Sequence, residues 1–331
     1  MRKPKLLLVL LFFCFAHFAD SQDASFSQFY QIGHWYNPAR VGSMEQDIKA
    51  GIHYRRQWTT GLNGFQTNGF NGEFKANKIP FAAGIVVIDD RGGNADLKTF
   101  QALASGSYTV KIDRFSILSA GFQLGIVQRS IQMSDLSWDA QYNGYQYDPS
   151  LDNKERQFSD QSGVRIDLGA GLFYRADYYV KRLRWGAGYG FKHLGQEQTF
   201  LQNGTDRLGL RHSFIGFAEK DFERFTGRLD VLFQRQRSAM ELVVFGRGEY
   251  RFGSDSRYTK ENNSSAVYAG CGLRNTGMII PMVGFEWERK LEIGVTYDIM
   301  LPGISDITGF TGGPEFCLIY RYRTDKRIKI Y

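Results

Sequence analysis

Cysteine is nearly absent from this chain: three residues in 331, at Cys14, Cys271 and Cys317. So few cannot build a disulfide framework. One bridge between Cys271 and Cys317 stays open, but two unpaired thiols, buried or facing lipid, are the preferred reading. Proline is scarce, at seven residues. Beyond the first 15 residues no apolar run approaches the roughly 20 residues a membrane-spanning helix needs, which argues against a helical membrane protein. Helical periodicity is also hard to find after the N-terminus. A large charge of one sign is missing too: the formal charge is +7, a mildly basic balance that does not fit a nucleic-acid binder.

What the chain does have begins at its N-terminus. Met1 to Lys5 is basic, Leu6 to Phe15 is apolar, and Ala19-Asp20-Ser21 precedes Gln22. This is the pattern of a cleavable secretory leader over residues 1–21. Its loss removes Arg2, Lys3, Lys5 and Asp20 and lowers the formal charge to +5. Cys14 follows Phe12 and Phe13, where lipoprotein processing needs small residues, so a lipid anchor there is not expected.

Aromatic residues make up 15% of the chain, and there are 37 glycines. The recurrent pattern is alternation with period two, which sorts side chains onto the two faces of a strand. Val164, Ile166, Leu168, Ala170, Leu172 and Tyr174 share one face, while Arg165, Asp167, Gly169, Gly171 and Arg175 lie on the other. Leu183, Trp185, Ala187, Tyr189 and Phe191 likewise oppose Arg184, Gly186, Gly188, Gly190 and Lys192. A soluble β-sandwich also alternates. Stripes of about ten residues with aromatic ends, such as Phe285, Trp287, Tyr297, Tyr320 and Tyr322, instead match a transmembrane strand and its interfacial girdle. The expectation is an all-β, antiparallel up-and-down transmembrane barrel of about 14 strands, located in the outer membrane.

Fourteen segments, from 47–59 to 312–323 and including 207–221 and 290–300, carry this pattern. Residues 22–46 precede them as a segment expected at the lumen or the periplasmic rim, and 47–331 form the barrel. With a periplasmic N-terminus, the long connections 130–161, 194–206 and 301–311 fall outside the cell. The polar stretch 252–263 is long yet falls on the periplasmic side.

No catalytic, cofactor or metal site is expected. His34, His53, His193 and His212 have no neighbours at metal-ligand spacing and read as surface or lumen histidines. Gly169-Ala170-Gly171 and Gly186-Ala187-Gly188-Tyr189-Gly190 lie inside strands rather than before a helix, which opposes a phosphate-binding loop. The inner faces gather Arg55, Arg165, Arg175, Arg182, Arg184, Arg228 and Arg247, with Asp167, Asp230, Glu286 and Glu288 as partners. Such a set would line an anion-selective pore or hold a filled lumen shut; the filled lumen is preferred. In the long connection after Ser130, Trp138, Tyr142, Tyr145 and Tyr147 supply the rigid amphipathic area used in protein recognition.

The start of the mature chain reads Gln22-Asp23-Ala24-Ser25-Phe26-Ser27-Gln28-Phe29-Tyr30. Tyr36-Asn37-Pro38-Ala39, Gly42 and Tyr54-Arg55-Arg56-Gln57-Trp58 follow. This resembles the PorP/SprF family of type IX secretion outer-membrane proteins, with Gln28, Asn37, Pro38, Gly42, Tyr54, Arg55, Gln57 and Trp58 as motif residues. Ala24 stands where that family usually has proline. The resemblance implies a partner-binding barrel that works with secretion-system lipoproteins or a secreted surface adhesin, in some cases in gliding motility, and no catalysis. A porin or nutrient channel is the competing reading, and a barrel enzyme a distant third.

Overall fold

The computed structural model describes residues 23–43, 46–57, 64–76, 78–92, 97–131, 139–146, 148, 150–151, 161–195, 208–222, 224–253, 264–301 and 312–323. The strands are β1 (Ile48–Gln57), β2 (Phe65–Lys75), β3 (Phe81–Gly92), β4 (Leu97–Lys111), β5 (Ser116–Ile131), β6 (Gln161–Tyr178), β7 (Leu183–Lys192) and β8 (Arg211–Phe222). They continue as β9 (Phe225–Gln236), β10 (Ala239–Phe252), β11 (Ser265–Arg274), β12 (Met278–Trp287), β13 (Leu291–Tyr297), β14 (Ile299–Met300) and β15 (Pro314–Tyr322). β1 to β13 pair antiparallel in chain order, β14 pairs with β12, β15 pairs with β13, and β1 closes the sheet on β15, from Ile48 opposite Tyr322 to Arg55 opposite Glu315. Closure leaves no edge, as hydrocarbon demands of a strand-built wall.

β13 and β14 are two halves of one spanning strand, so the wall has fourteen staves. The break has a local cause. Pairing of β12 with its neighbour runs from Trp287 to Met282, opposite Leu291 to Thr296, and resumes at Ile279 opposite Ile299. The gap falls opposite Ile280 and Pro281, and proline has no N–H to give a ladder. The eighth strand begins at Arg211 rather than 207, since residues 208–210 lie outside the ladder.

The wall is inside-out relative to a soluble protein. Val164, Ile166 and Leu172 of β6 are exposed, while Asp167, Gly169 and Gly171 on the alternate face are buried. In β13, Ile293 and Tyr297 are exposed and Glu292 and Thr296 are buried. Polar groups inside and apolar groups outside fit lipid as the solvent and exclude a sandwich core. Phe285, Trp287, Tyr297, Tyr320 and Tyr322 all face outward near strand ends, as an interfacial girdle requires. Cys271 is exposed on this face and Cys317 is buried, both as free thiols.

Two expected inner-wall charges belong to turns instead. β7 starts at Leu183, which leaves Arg182 exposed in the turn 179–182 with φ +48°. β12 ends at Trp287, so Glu288, with φ +47°, pairs with Lys290 across its own turn at 2.7 Å. Both strands stop one residue short because the reversal uses those positions.

The end of the barrel carrying turns 179–182 and 288–290 is the short-turn end. The connections between β5 and β6, β7 and β8, and β14 and β15 all lie at the opposite, long-loop end. Single-chain bacterial barrels put short turns in the periplasm and long loops outside. The connection between β10 and β11 is the exception, at the short-turn end.

Candidate functional site: the filled lumen

Residues 23–43 lie inside the ring of strands. Phe26, Phe29, Ile32, Trp35, Tyr36, Ala39 and Val41 are all at most 1% exposed, against walls of inward-facing polar side chains. The segment has little regular structure, only the single 3-10 turns Gly33–Trp35 and Pro38–Arg40. Turn bonds such as Gln31 N to Gln28 O at 2.9 Å satisfy part of its backbone, and buried groups outside these turns need partners from the wall. Glu315 of β15 accepts from Ser27 N at 2.6 Å and Gln28 N at 2.7 Å. Lys49 of β1 donates to Gln31 O at 2.5 Å, Arg211 of β8 to Trp35 O at 2.9 Å, and Ser107 of β4 to Val41 O at 2.7 Å. Arg55 and Arg175 donate to Ser25 O and Ser43 O.

These contacts run round the circumference. Tyr30 donates to Met282 of β12 at 2.8 Å, Gln31 to Glu292 of β13 at 2.5 Å, and Ser25 to Glu241 of β10 at 3.0 Å. Asn37 donates to Leu172 O of β6 at 2.9 Å, and Arg274 of β11 donates to Ser27 Oγ at 2.8 Å. His34 meets Ile85 O of β3 at 3.3 Å and Glu73 of β2 at 3.3 Å. Gln123 of β5 donates to His34 O at 3.5 Å, and Gln236 of β9 accepts from Asp23 N at 3.1 Å. Lys192 of β7 sits 3.3 Å from the centre of the Trp35 ring. A single segment can touch every one of the fourteen staves only from within.

The motif residues divide by the two-residue period of the strand. Gln28, Asn37, Pro38, Gly42 and Arg55 meet in the lumen. Gln28 Nε2 donates to Gly294 O at 3.4 Å, and its Oε1 accepts from Cys317 Sγ at 2.9 Å. Arg55 Nη2 bonds Asp298 at 2.6 Å, and its Nε lies 3.6 Å from Glu315. Tyr54 points the other way, with its ring 6.4 Å from that of Phe316 on the outer face. Gln57 ends β1, and Trp58 lies outside the described residues.

Asn37-Pro38-Ala39 forms a compact knob. The Asn37 side chain accepts from Ala39 N at 2.9 Å, which caps the short turn, and Pro38 at its first position supplies the required φ. The knob rests on a patch of wall without side chains. Gly121 of β5 faces Gly171 of β6, which faces Gly190 of β7. A Cβ on Gly121 would come within 2.4 Å of the Pro38 carbonyl carbon, one on Gly171 within 2.2 Å of Asn37 Oδ1, and one on Gly190 within 2.7 Å of Tyr36 O. The in-strand glycines thus clear space for the knob. Gly42, at φ +70°, ends the segment with its Cα hydrogen pressed toward Ala82, where a Cβ would come within 2.3 Å.

A charged anchor missed by sequence reading holds the other end. Asp23 accepts from His193 Nε2 at 2.6 Å and from Arg211 at 2.8 Å, with Lys192 at 3.8 Å. Burial opposes its ionisation, but the charges of His193, Lys192 and Arg211 prevail and hold the carboxyl well below the usual range. His193 lies just past β7; burial alone would disfavour its charged form, yet Asp23 and Asp167 raise its pKa. The alternation pattern contained no hint of this cluster, because its members are far apart in sequence.

Four of the expected lumen arginines, Arg175, Arg184, Arg228 and Arg247, are engaged, as Arg55 is. Arg228 pairs with Asp230 and Glu219, Arg184 with Glu219, and Arg175 with Asp177. Arg247 lies over Tyr30 at 4.4 Å, and Arg40 of the segment lies over Phe173 at 5.1 Å and Phe217 at 5.9 Å. Among the described residues, no group of three or more His, Cys, Asp or Glu could hold a metal ion. Of the tyrosines after Ser130, Tyr142 is 57% and Tyr145 94% exposed; Trp138 and Tyr147 lie outside the described residues.

A closed fourteen-stave wall with an apolar exterior and a polar, filled interior defines an outer-membrane β-barrel. Residues 18–322 match the family described as Type IX secretion system membrane protein PorP/SprF, and the chain belongs to it. Family and fold together point to a non-enzymatic membrane component. No curated protein matches the chain. Among solved structures, the chain is similar to the toluene transporter TbuX of Ralstonia pickettii, with 11% identity and TM-score 0.49 over 87% of this chain and 92% of that one. A Pseudomonas aeruginosa FadL homologue has 10% identity and TM-score 0.48 over 87% and 93%. The KdgM porin has 9% identity and TM-score 0.39 over 82% and 99%.

Proposed function

We propose that this protein is a non-conducting scaffold barrel of the type IX secretion route that binds other proteins rather than passing solutes. It would engage secretion-machinery lipoproteins or anchor a secreted surface adhesin, and where that adhesin drives gliding it would serve motility. The observation that carries this reading is the segment 23–43, whose buried side chains and wall contacts occupy the lumen a diffusion channel would keep open. Arg184, Arg228 and Arg247, which would attract anions in a porin, are instead engaged with carboxylates or aromatic rings. Exposed Tyr142 and Tyr145 in the connection after β5 offer contact area for a partner on the cell surface. Outer-membrane lipid surrounds the wall, and nucleic acid has no role.

Two measurements test the reading. Tagged protein extracted gently from its native outer membrane should bring down secretion-system lipoproteins or one large surface protein in a mass-spectrometric pull-down. In planar bilayers the whole protein should carry no steady ion current, and a variant lacking residues 23–43 should carry one. A steady current from the whole protein, with the barrel recovered alone, would establish the porin reading instead.

A further inference from the structure

At the short-turn end, the hairpins that join β2 to β3, β4 to β5, β6 to β7 and β8 to β9 lie side by side along eight consecutive staves. Each is stitched to the strand that follows it. Pro80 O accepts from Thr109 N of β4 at 2.9 Å, and Phe115 O from Asp177 N of β6 at 2.7 Å. Arg182 O accepts from Asp221 N of β8 at 3.0 Å, and Arg224 O from Arg251 N of β10 at 2.8 Å. The Phe115 ring also stands 5.8 Å from that of Tyr178. These turns are ledges fixed to the wall rather than loose tips, so a partner that settles on them has little order left to impose.

What the ledges display is basic and apolar. Lys78, Arg114, Lys181, Arg182, Lys220 and Arg224 are exposed there, together with Ile79 at 58%, Ile112 at 57% and Val180 at 96%. The acids close by are committed to the wall's own turns and strands. Asp113 accepts from Phe115 N at 2.7 Å and Ser116 N at 2.8 Å, Asp177 from Arg175 at 2.8 Å, and Asp221 from Thr226 Oγ1 at 2.8 Å. Among the described residues, none of these three carboxylates forms an ion pair with the six bases. Six bases stand against Asp113, Asp221 and, from the sequence, Glu223, which leaves a surplus of at least three positive charges. The opposite arc differs: Arg251 pairs with Glu286 at 3.0 Å, Arg321 with Glu286 at 3.2 Å, and Lys290 with Glu288 at 2.7 Å. These bases are neutralised by their own neighbours.

We propose that this half of the short-turn rim, on the periplasmic side, is the docking face for a folded protein with an acidic surface. The proposal deepens the scaffold reading and rests on it, since it assigns the side of the barrel on which a partner sits and the charge that partner carries. Charge complementarity selects a carboxylate-bearing surface, and Ile79, Ile112 and Val180 add apolar area for it to cover. Successive hairpins are two staves apart, roughly 10 Å at the strand spacing of a sheet, so the four span about 30 Å. That reach suits an interface of ordinary size, about 800 Å² per partner. An anionic lipid leaflet is the poorer occupant, because it surrounds all fourteen staves alike and would call for unpaired bases on both arcs. A second copy of this chain would present the same positive rim and be repelled.

The test is photo-crosslinking of the full chain in cells, with p-benzoylphenylalanine at Ile112 or Val180 on the basic arc and at Lys290 on the opposite one. Ile112 and Val180 should give one discrete protein adduct, absent at Lys290, whose cross-linked peptides carry a surplus of Asp and Glu. Arg114→Glu, Arg182→Glu and Arg224→Glu together should cut the adduct yield by about tenfold or more, with the heat-resistant folded band kept because all three side chains are exposed. Should that chain fail to fold, Arg114→Gln with Arg224→Gln gives the same readout with a smaller loss. Adducts to lipid alone, an equal protein adduct at Lys290, a cross-linked surface that is not acidic, or an undiminished yield from a folded variant each overturn the proposal. The scaffold reading fails separately. A pull-down partner kept by the rim variant but lost with Tyr142→Ala and Tyr145→Ala would move docking to the outer side and leave that reading standing, whereas a steady current from a barrel recovered alone would remove it.

Discussion

Asn37 and Gly171 fit each other so closely that the Asn37 side-chain oxygen lies 2.2 Å from where a Cβ on Gly171 would be. Side chain and absence of side chain are complementary across the barrel. Neither is legible alone: Asn37 reads as a turn residue, and Gly171 as one glycine of an in-strand run.

Gly171→Ala should therefore destabilise the protein by about 1–3 kcal/mol through overpacking. The unfolding midpoint followed by heat-modifiability should fall. Gly246, with nothing within 4 Å of its Cβ position, should accept alanine with little change. Equal effects at the two positions would refute the docking role of the glycine patch.

Removing the anchoring charge should cost more than removing the knob. Asp23→Asn leaves Lys192, His193 and Arg211 buried around a neutral group, and breaking a buried ion cluster typically costs about 3–5 kcal/mol. Asn37→Ala, which loses a cap, should cost about 0.5–2 kcal/mol. Combining Asp23→Asn with Lys192→Met should recover part of the first loss, since one uncompensated charge goes with it. Denaturant unfolding of the detergent-solubilised barrel gives all three values.

The same anchor sets a pH dependence. The His193 pKa is raised in the folded state, so its contribution is full below the unfolded value of about 6.5 and is lost as pH rises through the folded value. The Asp23 pKa is lowered, so its contribution is full above about 3.9 and is lost as pH falls through its folded value. Stability of the seated segment should therefore be greatest between about pH 4 and 6.5. In His193→Gln the decline on the alkaline side should disappear, while the acid decline remains. Melting temperatures across a pH series check this, and an unchanged alkaline decline in His193→Gln would assign it elsewhere.

Pro281→Val should mend the ladder between β12 and the strand broken at Asp298. The new amide can join the sheet, and one hydrogen bond is worth about 0.5–1.5 kcal/mol. Hydrogen exchange at Tyr297 and Ile299 should slow. Unchanged exchange there would mean that the inward pull on Asp298 from Arg55 at 2.6 Å and Ser27 at 2.7 Å maintains the break by itself.

The wall was written in the sequence, and the way its contents are seated was not. Alternation from Val164 to Tyr174 and from Leu183 to Phe191 told which face meets lipid, because a strand repeats every two residues whatever its neighbours are. The count of fourteen staves followed from the same local rule, with boundary errors of one residue at Arg182 and Glu288, where strand gives way to turn, and of four at the start of the eighth strand. No local rule describes residues 23–43, whose shape depends on groups supplied by every stave. Glu315 is 288 positions from Ser27 and Arg211 is 188 from Asp23; only closure of β1 on β15 brings them together. Periodicity thus determined the barrel, and the folded ring alone decided how the segment is seated in it, because backbone groups left unpaired in an irregular segment take whatever partners the enclosing wall presents.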